Sequence, residues 1–271
     1  MNIIVLISAD AEWRAVKEIL TPNEIHTSPL GEWFETTFNS STSLRINLQP
    51  VTFYHGGWGK ISSAATAQYV IDRWSPDLLV NLGTCGGFEG RVARGTVILV
   101  EKTIVYDILE QMTDPDQAIL HYVIEIDLSW LGKCVQSSVI SNQFSLVRGP
   151  LVSADRDIVA SDIPMLVKKY DAIAADWESG AIAWVAKQNG VRCLILRGVT
   201  DLVSAGGGEA YGDYDLFLRR TQEIMRQLIL LITDHECAWI VPSSSLQPKR
   251  QRRPSRARRS SASAGPQLPD G

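Results

Sequence analysis

No apolar run in this 271-residue chain approaches the roughly 18 residues of a membrane-spanning helix. The opening Met1-Asn2-Ile3-Ile4-Val5-Leu6-Ile7 has no basic start and is too short for a secretory signal, so it is expected to form a first strand. The four cysteines (Cys85, Cys134, Cys193, Cys237) include no Cys-x-x-Cys pair, and the four histidines are scattered without metal-ligand spacing. That argues against zinc and for a reducing, cytoplasmic setting in which the cysteines are simply buried. There is no glycine-rich loop ending in Gly-Lys-Ser/Thr and no dinucleotide fingerprint, which removes two common nucleotide-binding classes. No internal repeat is visible.

What the chain does have is apolar content, 45% of its residues, enough to bury a full-sized core in one domain. The net charge of -4 hides a split. Lys249, Arg250, Arg252, Arg253, Arg256, Arg258 and Arg259 crowd a segment otherwise dominated by Ser, Ala, Gly and Pro. With those seven and Asp270 set aside, 19 basic residues face 29 acidic ones, so the body is acidic. Residues 1–240 are expected to be the folded domain and 241–271 a disordered basic tail, since such a segment cannot bury enough apolar surface to order itself. A solvated extension is favoured over a nucleic-acid contact.

Along the body, β-rich and α-rich segments alternate. After the first strand, a helix is expected near Glu12 to Leu20, then strand-like segments at Glu32 to Thr37 and Leu44 to Phe53. A helix at Ile61 to Arg73 follows Gly56-Gly57-Trp58-Gly59-Lys60. A buried strand over Asp77 to Leu82 ends in Gly83-Thr84-Cys85-Gly86-Gly87, and Thr96 to Val105 is another. The stretch from Asp116 to Asn142 is ambiguous. Leu146 to Ser153, Ala172 to Ala175 and Val191 to Arg197 read as strands, Ala181 to Ala186 as buried helix, and Tyr214 to Asp234 as a long closing helix. Strands alternating with helices predict a three-layer α/β/α fold with a mixed, largely parallel sheet.

Ligands of open α/β sheets sit beyond the carboxyl ends of the strands. Three clusters fall there. Gly83-Thr84-Cys85-Gly86-Gly87 can let backbone approach a ligand, or serve as an ordinary turn. Glu12, in Ser8-Ala9-Asp10-Ala11-Glu12, is either a helix first-turn acid favoured by the dipole or a reacting base. Asp201, at the expected end of a strand and ahead of Ser204-Ala205-Gly206-Gly207-Gly208, either meets a ligand under a mobile loop or caps the next helix. Asp176-Trp177-Glu178 puts an acidic cluster ahead of the buried helix.

Taken in order, these motifs resemble the nucleoside phosphorylase/nucleosidase superfamily, and within it most the 5′-methylthioadenosine/S-adenosylhomocysteine nucleosidases. The similarity runs from about Met1 to Thr233. It is carried by the acidic turn after the first strand, Gly57-Trp58-Gly59-Lys60, Asn81 to Gly87, Ser153-Ala154-Asp155, Asp176-Trp177-Glu178 and Val199-Thr200-Asp201. The resemblance implies hydrolysis of a purine nucleoside's N-glycosidic bond by a homodimer that needs no metal or organic cofactor. It implies Asp201 as the acid that protonates the purine and Glu12 as the base that activates water. Glu178 would hold the ribose hydroxyls, Gly86, Ile158 and Trp177 would line the ribosyl and purine pocket, and Thr84 would lie beside the water.

Two departures bear on the substrate. Asp157 stands where these nucleosidases place an aromatic to stack on the purine, with Arg156 beside it either to lie on a base or to pair with Asp157. Trp177 replaces a typical Met and either offers stacking from another side or is simply core. A different purine nucleoside, or a futalosine-like adduct, is compatible with that pocket. The alternatives are a phosphorylase and a non-catalytic nucleoside sensor of the same fold. A phosphorylase needs arginines to hold its dianion, and Asn81-Leu82 stands where such enzymes carry one, leaving Arg14 as the remaining candidate.

Overall fold

Residues 1–38, 50–131 and 145–233 are described by the computed structural model. In chain order, β1 (Ile3–Ile7) leads to α1 (Asp10–Leu20), then to β2 (His26–Ser28), β3 (Gly31–Thr36) and β4 (Val51–His55). Helix α2 (Lys60–Trp74) precedes β5 (Leu78–Phe88), β6 (Val97–Val105), α3 (Pro115–Leu120), β7 (Val123–Glu125) and β8 (Leu146–Ser153). A 3-10 turn, Ala160–Asp162, enters α4 (Ile163–Tyr170). Strand β9 (Ala174–Asp176), α5 (Ser179–Asn189), β10 (Arg192–Ser204), β11 (Gly207–Gly208) and α6 (Tyr214–Thr233) complete the described chain.

The five residues of β1 are all apolar, and parallel strands flank it on both sides, β4 and β5. Alternate side chains therefore need cover on both faces. Val5 and Ile7 enter one core with Trp13 and Val16 of α1 and Met225 and Leu228 of α6. Ile4 and Leu6 enter a second core with Val70 and Ile71 of α2 and Ile182 and Ala186 of α5. Each such side chain contributes about 1.5–3 kcal/mol on burial. The small residues Ser63 and Ala67 of α2, and Ala183 and Ala186 of α5, are buried on one side of the sheet, where they let the two helices approach each other. The outcome is the expected three-layer arrangement with a mixed sheet.

Outward from β1 the sheet runs through β4, β3 and β2, the last two pairings antiparallel. On its other side the sheet closes. β5 pairs with β10 and β9, β9 with β8, β8 with β6, and β6 returns to β10, making a five-stranded barrel. Two strands are longer than local sequence implies. β5 continues through its glycines to Phe88, and β10 continues past Arg197 to Ser204. Pairing of Arg197 with Gly83, through to Val203 with Phe88, gives this backbone its hydrogen-bond partners and overrides the turn propensity of glycine. Asp201 is thus inside a strand and caps no helix. Gly207 and Gly208 pair back on β10 as β11.

The expected strand before Phe53 begins at Val51, and residues 39–49 lie outside the described residues. The ambiguous stretch resolves into α3 and β7, with residues 132–144, including Cys134, outside them. Cys237 and the basic tail also lie outside. Cys85 and Cys193 are free and buried. Among the described residues no helix is long and apolar enough to cross a membrane.

Candidate active site

Strand ends and the segments leaving them surround a cavity of roughly 620 Å³. The structure brings all seven residues singled out in the sequence onto its wall: Glu12, Thr84, Gly86, Ile158, Trp177, Glu178 and Asp201. Glu12 comes from the first turn of α1, Thr84 and Gly86 from β5, Glu178 from the turn between β9 and α5, and Asp201 from β10. A break in register between Val199 and Asp201 makes a bulge at Thr200, beside Asp201.

Glu12 is buried, and its carboxylate is held from two directions. The Thr84 N–H and hydroxyl both donate to Oε1, at 2.6 and 2.9 Å, and the Ala9 N–H donates to Oε2 at 3.2 Å. It also lies against Gly83, where a Cβ would come within 3.0 Å of Oε1 and 3.2 Å of the Arg197 guanidinium. Only glycine leaves room for that approach. Burial raises the Glu12 pKa, while Arg197 and the three donors pull it back toward the ionised form.

Glu178 is half-buried and accepts the Gly59 N–H at 3.1 Å. Its pKa is pushed up to about 8, chiefly by burial and then by repulsion from Asp176 and Glu12, against the pull of Arg197 and Gly59. Asp201 is almost wholly buried. It accepts the Thr200 hydroxyl at 2.9 Å and the Ala210 backbone N–H. Burial is again the first cause of its raised pKa, which favours a protonated carboxyl.

Asp176, two residues before Glu178, has a different task. Its carboxylate accepts Arg197 Nε at 2.7 Å, the Ser153 hydroxyl at 2.6 Å and the Ser179 hydroxyl at 2.9 Å. Arg197 is 1% exposed and also donates to Asn81 Oδ1 at 2.6 Å. This buried network anchors the floor under Glu12 and Glu178. A signal for it existed in the sequence: Asn81 and Arg197 each interrupt an apolar strand, where an unpaired polar group would be costly.

Other residues settle differently. Arg156 does not pair with Asp157: it donates to Asp162 and lies 5.3 Å above the Tyr106 ring. Asp157 is exposed at the cavity wall. Arg14 is exposed on α1 and does not line the cavity. Trp177 meets Trp58 edge to face, 5.2 Å between centroids. Trp58, Tyr211, Tyr214 and Phe217 also line the wall, and sequence reasoning assigned none of them. The last three are placed by the segment that follows Asp201, and Trp58 by the turn between β4 and α2. Among the described residues no group of His, Cys, Asp and Glu is placed to hold a metal ion.

The family model described as the phosphorylase superfamily matches residues 4–233. A 5′-methylthioadenosine/S-adenosylhomocysteine nucleosidase of Maridesulfovibrio salexigens is 26% identical over 171 residues, which cover 61% of this chain and 74% of that protein. The crystal structure of a Campylobacter jejuni nucleosidase of the same name superposes with a TM-score of 0.67 at 19% identity, covering 86% of this chain and 98% of that one. The native futalosine hydrolase of Helicobacter pylori superposes equally, with a TM-score of 0.67 at 18% identity over 86% and 97% of the two chains. At these identities the structural likeness establishes the fold.

Proposed function

The chain belongs to the phosphorylase superfamily, and on that footing we propose that it hydrolyses the N-glycosidic bond of a purine nucleoside of the methylthioadenosine/S-adenosylhomocysteine type, releasing adenine. Cleavage puts cationic character on the ribose and negative charge on the departing purine. Asp201, whose pKa burial raises, protonates the purine as it leaves. Glu12 takes a proton from the water that attacks the sugar, with Thr84 holding its carboxylate. Glu178, held largely protonated in the empty site below about pH 8, takes the ribose hydroxyls and in its ionised form favours the positive charge that develops between it and Glu12. Proton transfer and charge stabilisation then need neither metal nor organic cofactor.

The observation that carries hydrolysis over phosphorolysis is the scarcity of cations at the cavity: among the described residues that line it, Arg156 is the one basic side chain, and it is paired with Asp162. A phosphate dianion there would need free guanidinium groups. Arg197 is committed to Asp176 and Asn81, Arg156 to Asp162, and Arg14 is outside. Water, being neutral, meets no such barrier. The names of the nucleosidase relatives support the same substrate class. We take the enzyme to be a cytoplasmic homodimer with its catalytic body in residues 1–240 and a basic tail in 241–271 that turnover does not require.

Purified protein incubated with methylthioadenosine, S-adenosylhomocysteine, adenosine and inosine, with and without phosphate, tests this directly. Free adenine and free ribosyl product in both buffers are expected. Release that depends on phosphate and yields a ribose-1-phosphate would replace hydrolase by phosphorylase, and no release at all would favour a binding module.

A further inference from the structure

Resting on the nucleosidase proposal, a purine in the cavity calls for a side chain that offers it an aromatic face. Asp157 stands in the segment where the resemblance expects an aromatic, and a carboxylate cannot stack. Arg156 is spent on Asp162 and Tyr106. Trp177 is packed edge to face on Trp58.

The loop after Asp201 supplies another ring. Three consecutive residues tie that loop to the site. The Glu209 N–H donates to the Leu202 carbonyl at 3.1 Å, and its carboxylate receives Arg94 and Arg220. The Ala210 N–H donates to the Asp201 carboxylate. Tyr211 Oη accepts the Ile158 N–H at 3.0 Å and donates to the Ile158 carbonyl at 3.2 Å. Its ring rests on Gly208, where a Cβ would come within 2.5 Å of it. The phenol is 46% exposed and lines the cavity. A ring fixed at its hydroxyl and backed by glycine, one residue from the group that hydrogen-bonds the acid, loses little freedom when a flat ligand stacks on it.

We propose that Tyr211 is the aromatic platform for the purine in this protein, taking the place that Asp157 cannot fill. The same three-residue tether then positions both the stacking face and the Asp201 carboxyl, so the base is held where its proton donor is. The ligand class is a planar aminopurine. The contrary outcome of the test is a block, in which the hydroxyl that bridges the N–H and carbonyl of Ile158 occupies a donor–acceptor pair that a purine edge would otherwise use.

The two roles differ in sign. Adenine affinity by calorimetry, and KM and kcat for methylthioadenosine, are measured on the full chain for wild type, Tyr211→Leu and Tyr211→Phe. A platform predicts that Tyr211→Leu raises the adenine Kd and the KM on the order of tenfold to a hundredfold, the usual worth of one base–aromatic stack, with a smaller effect on kcat. Tyr211→Phe keeps the ring but frees it from Ile158, and is expected to fall between the two. Binding in Tyr211→Leu as tight as wild type or tighter would overturn the platform. Should that variant not fold, Tyr211→Gln, which removes the ring and keeps a polar partner for Ile158, decides in its place: weaker binding supports the platform and equal or tighter binding overturns it. Wild-type protein that binds no adenine overturns the nucleosidase proposal and this one with it, whereas wild-type binding with unchanged variants overturns only the role of Tyr211.

Discussion

Glu12 and Asp201 are both pushed toward the neutral form by burial, yet the proposed reaction needs one ionised and the other protonated. Both are raised, and they differ in what opposes burial: the Arg197 charge and three donors at Glu12, and the Thr200 hydroxyl, the Ala210 N–H and the Arg220 charge at Asp201, where Glu209 adds to the rise. The buried Arg197 charge is the reason the ionised role is assigned to Glu12. Asp201→Asn is therefore expected to lower purine release about a hundredfold or more with an unchanged circular dichroism spectrum. Wild-type turnover in that variant would remove Asp201 from the mechanism. Glu12→Gln should stop hydrolysis while leaving adenine binding close to wild type, which calorimetry on the inactive variant would show.

Glu178 adds a consequence for stability. Its pKa is near the ordinary 4.5 when unfolded and about 8 when folded. Between those values the folded state binds more protons than the unfolded one, so stability is fully present below about 4.5 and declines as pH rises toward 8. The raised pKa values of Glu12 and Asp201 act in the same direction. Thermal unfolding from pH 5 to pH 8 should show Tm falling, and Glu178→Gln should flatten that decline. A Tm that rises with pH over this window would contradict the account.

At the scale of elements, the site depends on how β5, β9 and β10 are fastened together. Arg197 on β10 reaches Asp176 on β9 and Asn81 on β5, so one guanidinium links three strands beneath the carboxylates. Removing one partner of a buried ion pair leaves the other uncompensated. Asp176→Asn is expected to cost about 3–5 kcal/mol of stability, seen as a lower denaturant midpoint, and to reduce activity through misplaced Glu12 and Glu178. The glycine cluster and Asp201 were visible as motifs, but a turn and a helix cap were equally plausible local readings. The long pairing of β10 with β5 decided against both, and no window of neighbouring residues contains that pairing.

At the scale of the whole molecule, the charge split sets the body apart from the tail. The acidic body carries the proposed chemistry, and the cluster of seven basic residues lies beyond it. Deleting residues 241–271 should leave kcat and KM for methylthioadenosine within about twofold of the full chain. Any binding to nucleic acid should disappear with the deletion and, in the full chain, weaken steeply with salt. A truncated protein that loses turnover would show that the tail belongs to the enzyme. The three-layer fold was legible in outline because β1, β5, β8 and β10 carry apolar runs separated by helical segments, and burial on two faces demands that composition.

By itself the sequence determined the layers, the chemical kinds of residue at the strand ends, and the order of motifs that places the chain in its superfamily. These follow from local periodicity and from the presence of particular side chains at particular spacings. Only the tertiary structure decided which carboxylates at the cavity wall are left for a ligand and which, like Asp176, are spent balancing a buried arginine. It also brought Trp58, Tyr211, Tyr214 and Phe217 to the wall and left Arg14 in solvent. The reason is that desolvation, Coulomb interaction and close approach depend on distance in space, and contacts such as Glu12 with Thr84 or Tyr211 with Ile158 join residues far apart in the chain.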